Sequence, residues 1–505
     1  MQLSQLVFLL GSLRQVSQTK WFLNPLAQTR TLPRRATQML QEKCSVSRLT
    51  LPAAANFDAP RVPVHVECVL KPEAAISRED IHSLRLSVGS LIVRSSARDD
   101  GATMIRNGEF TIPPDDLALS ACARVRVVDV EEPSGVVAVS AELSIDCYFE
   151  DDSLPECEYV SEGDEDLPAF NAWALPSARL DGVWESLIFE SRVKRHLMDY
   201  TTTAMLFSDA GVDRRLVTFN RIILLHGPPG TGKTSLCRAL AHKAAIRLSD
   251  RYSNSHLLEI NAHSLFSKWF SESGKLVLRL FQHVHELVED DDAFVVLLID
   301  EVESLTASRS ASGSEPSDSL RVVNAVLTQL DGLSQHPNVL VLATSNLSGA
   351  IDGAFLDRAD LKLFIGPPGL RARFEILRSC FAELVRAGIV TAPAGRLAPY
   401  IAEFAALPEP ARAAAAAAAA ARAASTDSAR EATAAPSDDP GLSLEAALLD
   451  IAVLTEGLSA RSLRKLPFNA FNGLSILTSA AHFLGGMRRA AAVELSSRVS
   501  RSGGV

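Results

Sequence analysis

Hydrophobic and polar residues alternate in the N-terminal part of the chain, in the way that is typical of β-strands. Apolar side chains recur at every second position or form short runs, and they predict strands over residues 62–68, 123–130 and 137–149. Ser77 and Asp80 have the spacing of a capping box, which predicts a helix that runs towards Val93. Residues 56–150 are therefore predicted to form a small α+β domain. We interpret it as a domain that binds a substrate or an adaptor, because no motif within it indicates catalysis.

The central part of the chain alternates apolar runs with helical patterns, which predicts a parallel sheet covered by helices over residues 171–369. Strands are predicted over residues 222–225, 258–261, 294–299 and 339–346. The third is wholly apolar, as expected for a strand that is buried on both faces. From Leu370 onwards the pattern is helical, with amphipathic spacing over residues 371–385 and 444–454. It predicts a small helical domain over residues 370–505.

Three segments break these patterns. Residues 150–168 contain nine acidic residues, whose mutual repulsion predicts a solvated, extended linker over residues 151–170. Residues 408–440 include nine consecutive alanines, and we interpret them as a low-complexity insertion because poly-alanine has no amphipathic face to dock. Residues 1–55 form a basic leader whose first 41 positions contain no acidic residue. A disordered leader or an extended gene-model start is favoured over an organellar transit peptide, which has a similar composition.

The composition of the 505 residues narrows the class of protein. A formal net charge of −10 argues against a dedicated nucleic-acid-binding protein, which would carry a basic excess or a basic face. Seven cysteines are scattered without CxxC spacing, so neither a zinc site nor a disulfide framework is predicted. No apolar run approaches the roughly 20 residues that a membrane-spanning helix needs. We therefore expect no direct contact with nucleic acid or membrane.

The strand predicted at residues 222–225 is followed by the motif GxxxxGK[ST] and then by an apolar helix pattern. The motif comprises Gly227, Pro228, Pro229, Gly230, Thr231, Gly232, Lys233 and Thr234, and Ser235 follows it. Its glycines let backbone N–H groups approach phosphate oxygens, and the helix directs its positive end at the same anion. Lys233 is expected to contact the β- and γ-phosphates and Thr234 to ligate Mg²⁺. The segment therefore predicts a binding site for a nucleoside triphosphate.

Polar residues follow two further predicted strands of the same sheet. Asp300 and Glu301 come directly after residues 294–299, and Asn346 ends the strand at residues 339–346. Ligands bind at the carboxyl ends of such strands. Asp300 is suited to hold Mg²⁺ through its water shell, and Glu301 to orient and deprotonate the attacking water. The amide of Asn346 would reach the γ-phosphate or that water.

Two tryptophans, Trp173 and Trp184, precede the nucleotide fold. In many ATPases a segment this far upstream of the phosphate loop closes over the adenine. Apolar docking onto the core explains the two side chains equally well, and both interpretations remain open.

Together these motifs resemble those of AAA+ ATPases, and within that superfamily the chain resembles the pachytene checkpoint protein 2 family. The resemblance is dense from Asn171 to Phe364, and its most specific stretches are LFSKWFSESG (265–274), IDEVESL (299–305), DSLRVVNAVL (318–327), FLDRAD (355–360) and GLSARSLRKLP (457–467). It implies the α/β fold class, with an AAA+ parallel-sheet core that binds ATP, a C-terminal helical lid domain and a small α+β domain in front.

The resemblance implies a homo-hexamer that converts HORMA-domain proteins of the meiotic axis and the spindle checkpoint from a closed to an open form, often through an adaptor, in nucleus and cytoplasm. Lys268, Trp269 and Phe270 would lie on a loop facing the central pore, where aromatic side chains can grip an extended peptide. Without the resemblance, a buried aromatic pair would be the favoured interpretation. The serine-rich residues 308–319 would form a second pore loop.

Two arginines receive roles from the same resemblance. Arg461 resembles the sensor-2 arginine, which contacts ATP from the lid of its own subunit. Arg358 is the candidate arginine finger, which reaches into a neighbouring subunit. Many AAA+ relatives have arginines one position before and two positions after this one, where the chain has Asp357 and Asp360.

Three other functions compete with this interpretation. A nucleotide-switched scaffold would have no need of a water-activating set such as Glu301 and Asn346. A DNA-directed motor is disfavoured by the acidic net charge and by the lack of a basic or aromatic nucleic-acid face. A remodeller of filaments or of membrane complexes is the nearest alternative, and the N-terminal domain would discriminate it.

Overall fold

The computed structural model describes residues 48–50, 62–96, 98–99, 102–130, 135–162, 165–189, 192–262, 273–304, 316–346, 351–391, 444–471 and 478–502. All of them belong to one compact unit, Lys43–Val505. The alanine-rich insertion at residues 408–440 and most of the leader lie outside the described residues. None of the described helices is long and apolar enough to cross a bilayer.

The N-terminal domain is an α+β structure, as predicted. Its elements are β1 (Arg48–Thr50), β2 (Val62–Leu70), α1 (Arg78–Ser95), β3 (Arg98–Asp99), β4 (Ala102–Ile105), β5 (Gly108–Phe110), β6 (Cys122–Val128), β7 (Val136–Val137) and β8 (Ala141–Tyr148). The main sheet has the order β1-β8-β2-β6-β5, and α1 packs on it through an apolar cluster. The capping box is confirmed, because the Ser77 hydroxyl accepts the Asp80 N–H and the Asp80 carboxylate accepts the Ser77 N–H.

Two boundaries of this domain differ from the prediction. The strand expected over residues 137–149 is interrupted by a 3₁₀ turn at Ala138–Ser140, because β7 pairs with β4 while β8 pairs with β2 in a different sheet. The chain must turn between the two sheets, and alternation alone does not show this. The leader predicted to end at residue 55 contains β1, whose three residues pair with β8. Residues 48–50 therefore belong to the domain.

The ATPase domain is built on a seven-stranded sheet. Its elements are β9 (Glu156–Glu162), β10 (Glu165–Leu175), α2 (Val183–Ser186), α3 (Val193–Asp209), β11 (Ile222–His226), α4 (Lys233–Arg247), β12 (Asn254–Asn261), α5 (Ser273–Val288), β13 (Ala293–Asp300), α6 (Pro316–Leu333), β14 (Val339–Ser345), α7 (Gly353–Arg358) and β15 (Leu361–Phe364). The strand order is β15-β11-β14-β13-β12-β10-β9. The first five strands are parallel, and their carboxyl ends therefore share one edge of the sheet.

The prediction of a solvated linker over residues 151–170 is wrong for most of that segment. β9 and β10 form an antiparallel hairpin, and β10 extends the parallel sheet by pairing with β12. Repulsion between carboxylates disfavours burial, but it does not prevent strand pairing at the edge of a sheet, where solvent remains available. The backbone hydrogen bonds to β12 stabilise β10 as a strand, and the acidic composition does not indicate them.

Both faces of the sheet are covered, as predicted for a parallel sheet. One apolar layer lies between the strands and the helices α5 and α6, and a second lies between the strands and the helices α3 and α4. All seven residues of β14 are buried, as are the first seven residues of β13. These two strands place the polar residues that follow them at the carboxyl edge.

The C-terminal lid is helical, as predicted, with a small additional sheet. Its elements are α8 (Leu370–Arg386), β16 (Val390–Thr391), α9 (Leu444–Leu454), α10 (Ala460–Ala470), β17 (Thr478–Ser479) and α11 (Ala480–Ser502). The helices surround one apolar cluster, against which Ile188 of the ATPase domain also packs. This contact joins the lid to the segment that precedes α3.

Candidate active site

The phosphate loop lies between the end of β11 at His226 and the start of α4 at Lys233. Gly227, Gly230 and Gly232 have φ angles of 141°, 77° and 95°, a region that residues with a Cβ atom rarely adopt. A Cβ atom on Gly227 would lie 2.3 Å from the carbonyl oxygen of Ile365. The loop therefore requires glycine, and it keeps the cradle shape that backbone N–H groups need to surround a phosphate.

Lys233 is held at this loop by neutral oxygen atoms. Its Nζ donates to the carbonyl oxygens of Gly227 (2.8 Å) and Pro228 (2.9 Å) and to Oδ1 of Asn346 (2.8 Å). Burial lowers the pKa of the ammonium group, while the nearby Glu303 and Asp300 carboxylates oppose that shift. The side chain is thus a fixed cation, and the oxygens that hold it carry no net charge.

The other polar residues of the motif occupy the first turn of α4 and the loop itself. The hydroxyl of Thr231 donates to the carbonyl oxygen of Pro228 at 3.1 Å, which tightens the loop. Pro229 is exposed at its tip, and Ser235 is partly buried in α4. Thr234 donates its hydroxyl to Oδ1 of Asp300 at 2.9 Å. The loop and the end of β13 therefore meet.

Glu301 and Asn346 lie beside this pair. Nδ2 of Asn346 is 3.4 Å from Oε1 of Glu301, so its amide touches Lys233 on one side and the carboxylate on the other. The backbone of Glu301 has a φ of 60°, in the left-handed region. The structure thus brings together all five residues that the sequence placed at the carboxyl edge: Lys233, Thr234, Asp300, Glu301 and Asn346.

Sequence reasoning missed two residues of this site. Glu303 is buried, and its Oε1 accepts the backbone N–H of Asn346 at 2.9 Å. Thr344 is also buried, and its hydroxyl contacts both Asp300 and the N–H of Glu301. The sequence does contain a signal for Thr344, because it is a polar residue two positions before Asn346, at the end of the same predicted strand.

The two interpretations of the tryptophans are now separable. Trp184 is buried in the apolar layer of α3 and α4, and its Nε1 donates to Asp129 of the N-terminal domain at 3.1 Å. Trp173 packs partly buried against the same layer. The residues of this segment that lie beside the loop are Leu187 and Phe189, which would be 3.6 and 3.8 Å from a Cβ atom on Gly232. The tryptophans therefore dock the core, and Leu187 and Phe189 form an apolar wall at the loop.

Arg461 lies at the junction of the lid with the phosphate loop. Its backbone N–H donates to the carbonyl oxygen of Gly230 at 3.1 Å, and its side chain is exposed. Ser459 caps the N-terminus of α10, and its hydroxyl would lie 3.0 Å from a Cβ atom on Gly230. This placement suits an arginine that contacts the nucleotide from the lid.

Arg358 lies elsewhere, at the end of α7. Its Nε and Nη2 atoms donate to the two carboxylate oxygens of Asp331 at 2.7 and 2.8 Å, and Nη1 donates to the carbonyl oxygen of Ala354. Asp360, where many relatives have an arginine, has a structural role. Its Oδ2 accepts hydrogen bonds from the Tyr200 hydroxyl and from the backbone N–H groups that precede β11.

The proposed pore residues Lys268, Trp269 and Phe270 lie outside the described residues, as do positions 308–315 of the serine-rich segment. Within the described ranges, no three His, Cys, Asp or Glu side chains are grouped as metal ligands.

Comparisons with known proteins agree with this geometry. Residues 223–367 match the ATPase family associated with various cellular activities (AAA), and residues 369–495 match the TRIP13-like AAA+ ATPase lid C-terminal domain. The pachytene checkpoint protein 2 homolog of Arabidopsis thaliana is 46% identical over 418 residues, which cover 82% of this chain and 83% of the relative. The Homo sapiens homolog is 48% identical over 329 residues, which cover 65% and 75%.

A solved structure shows the same architecture. The structure of C. elegans PCH-2 aligns with a TM-score of 0.63 and 30% sequence identity, over 87% of this chain and 100% of the other. The two family matches cover the phosphate loop, the strand ends and Arg461. This chain is therefore an AAA+ ATPase that belongs to the pachytene checkpoint protein 2 family.

Proposed function

We propose that this ATPase works as a homo-hexameric ring that converts HORMA-domain proteins from a closed to an open form, in control of the meiotic chromosome axis and of the spindle checkpoint. Membership of the family supports the substrate class. The observation that carries the ATP-driven part of the proposal is the linked set Lys233–Asn346–Glu301 beside Thr234 and Asp300. A scaffold that only switched between nucleotide states would not need groups that position and deprotonate a water.

The residues present fit a nucleotide with Mg²⁺. Hydroxyl and carboxylate oxygens from Thr234 and Asp300 converge at 2.9 Å, and Mg²⁺ prefers such hard oxygen ligands together with phosphate and water oxygens. When bound, the ion would neutralise charge on the β- and γ-phosphates. Lys233 would bind the same phosphates, and Glu301 would accept a proton from the attacking water. Asn346 would hold the side chains of Glu301 and Lys233 in position through its amide.

The position of Arg358 supports a ring. Its guanidinium group is partly exposed and is paired with Asp331 of its own chain rather than with the phosphate loop. An arginine finger supplied by a neighbouring subunit stabilises the charge of the transition state in related phosphoryl transfers. A ring would bring this partly exposed arginine to the nucleotide of the neighbouring subunit. The nuclear and cytoplasmic location expected from the resemblance is consistent with HORMA-domain proteins as substrates.

The experiment compares hydrolysis with substrate conversion in three purified forms: wild type, Glu301→Gln and Trp269→Ala. We expect Glu301→Gln to bind ATP and to lose turnover, by about 10²–10⁴-fold for loss of a general base. Trp269→Ala should keep basal turnover and lose the closed-to-open conversion of a HORMA-domain protein, because alanine offers the substrate chain little apolar surface to hold.

The control is Glu289→Gln, an exposed glutamate at the end of α5. Wild type that hydrolyses ATP without converting any HORMA-domain protein, alone or with an adaptor, would exclude this substrate class. Normal hydrolysis by Glu301→Gln would exclude its role as the base. Conversion at the wild-type rate by Trp269→Ala would show that this residue does not grip the substrate.

A further inference from the structure

The backbone of Glu301 is in a conformation that a side chain with a Cβ atom disfavours. Its φ is 60°, and among the described non-glycine residues only Asp129, Arg192 and Arg221 also have a positive φ. Such a conformation persists where surrounding contacts enforce it. In Glu301 it directs the chain out of β13 directly after Asp300, so the contacts that enforce it also decide where the carboxylate points.

Thr344 supplies those contacts. The ladder between β13 and β14 ends with the pair Ile299–Ala343, and the next residues of β13 leave the sheet. The Thr344 hydroxyl accepts the N–H of Glu301 at 3.2 Å, and the Thr344 carbonyl oxygen accepts the N–H of Val302 at 2.9 Å. One residue of β14 thus receives two consecutive N–H groups of the departing chain.

The same hydroxyl has a second contact, on the metal side of the site. It donates to Oδ1 of Asp300, the oxygen that also accepts the Thr234 hydroxyl. A hydroxyl group has one donor and two acceptor positions, so it can accept from a backbone N–H and donate to a carboxylate at once. Valine has the same shape as threonine and can do neither.

The end of β14 and the residue that follows it, Asn346, also contact the phosphate loop, Lys233 and Glu301. Ser345 accepts the N–H of Gly227 through its carbonyl oxygen at 3.2 Å, and Asn346 contacts Lys233 and Glu301. Thr344 is the residue of this strand end whose hydroxyl contacts both the Asp300 carboxylate and the Glu301 backbone. Thr344 is 2% exposed, so solvent does not reach the hydroxyl or its partners.

We infer that Thr344 is a positioning residue of the hydrolysis reaction, which holds Glu301 in its left-handed conformation and Asp300 in its orientation through one hydroxyl group. It does not contact the reacting atoms itself. The inference rests on the assignment of Glu301 as the base. It predicts that removal of the hydroxyl slows the chemical step while the phosphate loop still binds ATP.

The test uses full-length Thr344→Val, with Thr344→Ser as the variant that keeps the hydroxyl. Thr344→Val should lower kcat by about 10- to 100-fold, as displacement of a catalytic group does, with KM for ATP within about twofold. Thr344→Ser should recover most of that loss. The matched control is Thr328→Val, because the exposed Thr328 hydroxyl donates to the carbonyl oxygen of Asn324 on its own helix, away from the site.

Several outcomes would overturn the inference. They are a kcat of Thr344→Val close to that of wild type, a Thr344→Ser variant as slow as Thr344→Val, or a parallel loss of ATP binding. If Thr344→Val does not fold, the pair Thr344→Ser and Thr344→Ala decides, since these two small residues differ by the hydroxyl alone. Normal turnover in Glu301→Gln would instead refute the assignment of the base, a result that is separate from the comparison of serine with alanine.

Discussion

Helix α4 carries a buried lysine near each end, and the two lysines are held in opposite ways. Lys233, at the phosphate loop, is bonded to two carbonyl oxygens and one amide oxygen. Lys243, ten positions later and 1% exposed, forms ion pairs with Glu67 and Glu185. No carboxylate accepts a hydrogen bond from Lys233, and the nearby Glu303 and Asp300 offset its positive charge only from a distance, so its end of the helix can still take up an anion. Carboxylates neutralise Lys243, and its end of the helix is closed to ligands.

The closed end of α4 is where the N-terminal domain docks. Arg247 pairs with Asp129 at 2.6 Å, and Glu67 of β2 also accepts Nε of Arg126 at 2.7 Å. Arg126 in turn pairs with Asp181 of the ATPase domain. The two lysines are about 15 Å apart along the helix at 1.5 Å per residue. One helix thus joins the domain interpreted as binding the substrate to the loop that binds ATP.

The phosphate-loop end of α4 is expected to receive Arg358 from a neighbouring subunit. Arg358→Ala tests this expectation, and it has the largest predicted effect. Turnover should fall by about 10³–10⁵-fold, as in related phosphoryl transfers that lose an arginine finger, while nucleotide stays bound. Mixing Arg358→Ala with Lys233→Ala should restore some activity, because each subunit then lacks a different part. The measurement is phosphate release across mixing ratios.

The control for that experiment is Arg386→Ala, which removes an exposed arginine on the surface of the lid. If neither Arg358→Ala nor Lys233→Ala helps the other at any ratio, Arg358 does not act between subunits.

Lys243→Met removes the cation that pairs with Glu67 and Glu185 at the closed end of α4. Removing one member of a buried ion pair typically costs about 3–5 kcal/mol of stability, because the partner charge stays buried. Glu67 is fully buried, so we expect a loss of this order in the free energy of unfolding in urea, with kcat per folded molecule little changed. Adding Glu67→Gln should recover part of the loss.

Lys362→Met, at an exposed position of β15, is the matched control. An unfolding midpoint of Lys243→Met equal to that of Lys362→Met would mean that the ion pair does not stabilise the docked domain. A large fall in kcat without a fall in stability would contradict the separation of the two ends.

The smallest expected effect concerns Asp146, next to Arg247 at the closed end. Burial raises the pKa of this carboxyl to about 7, and Arg247, 3.8 Å away, only partly opposes the shift. The folded protein therefore holds a proton that the unfolded chain releases above about pH 4, and stability contributed by this group falls as the pH rises towards 7. Asp146→Asn should be stabilising by about 1–3 kcal/mol at pH 8 and near neutral at pH 4.

Urea unfolding of both proteins at pH 4, 6 and 8 measures this difference. The same exchange at the exposed Asp152 controls for the change in net charge. A difference between wild type and Asp146→Asn that does not grow with pH would show that Asp146 is already ionised at low pH in the folded protein.

The sequence could identify Lys233 but not the role of Lys243, and the reason is physical. The chemistry of the phosphate loop requires particular residues at fixed spacing, so it is visible within eight positions. Lys243 pairs with Glu67, which lies 176 positions away, and no local pattern connects them. The same limit hid the hydrogen bond from Trp184 to Asp129, because Asp129 belongs to another domain.

In the fold, too, local features were predictable from the sequence and long-range contacts were not. Strands with apolar runs, the capping box of α1 and the helical lid were predictable because each depends on neighbours along the chain. The pairing of β10 with β12 and of β1 with β8 was not, because strand partners are chosen in three dimensions. At the site, the position of Thr344 near a strand end was visible in the sequence, but its role was not, because that role depends on the left-handed backbone of Glu301.

The hairpin of β9 and β10 has one more consequence, for the behaviour of the protein in solution. β9 is the outermost strand of its sheet among the described residues, and an outermost strand can pair with a strand of another molecule and start aggregation. Its sequence contains Glu156, Glu158 and Glu162, and β10 begins with Glu165 and Asp166. Two molecules that approached edge to edge would bring these like charges together. We therefore expect the acidic residues of this hairpin to disfavour edge-to-edge association.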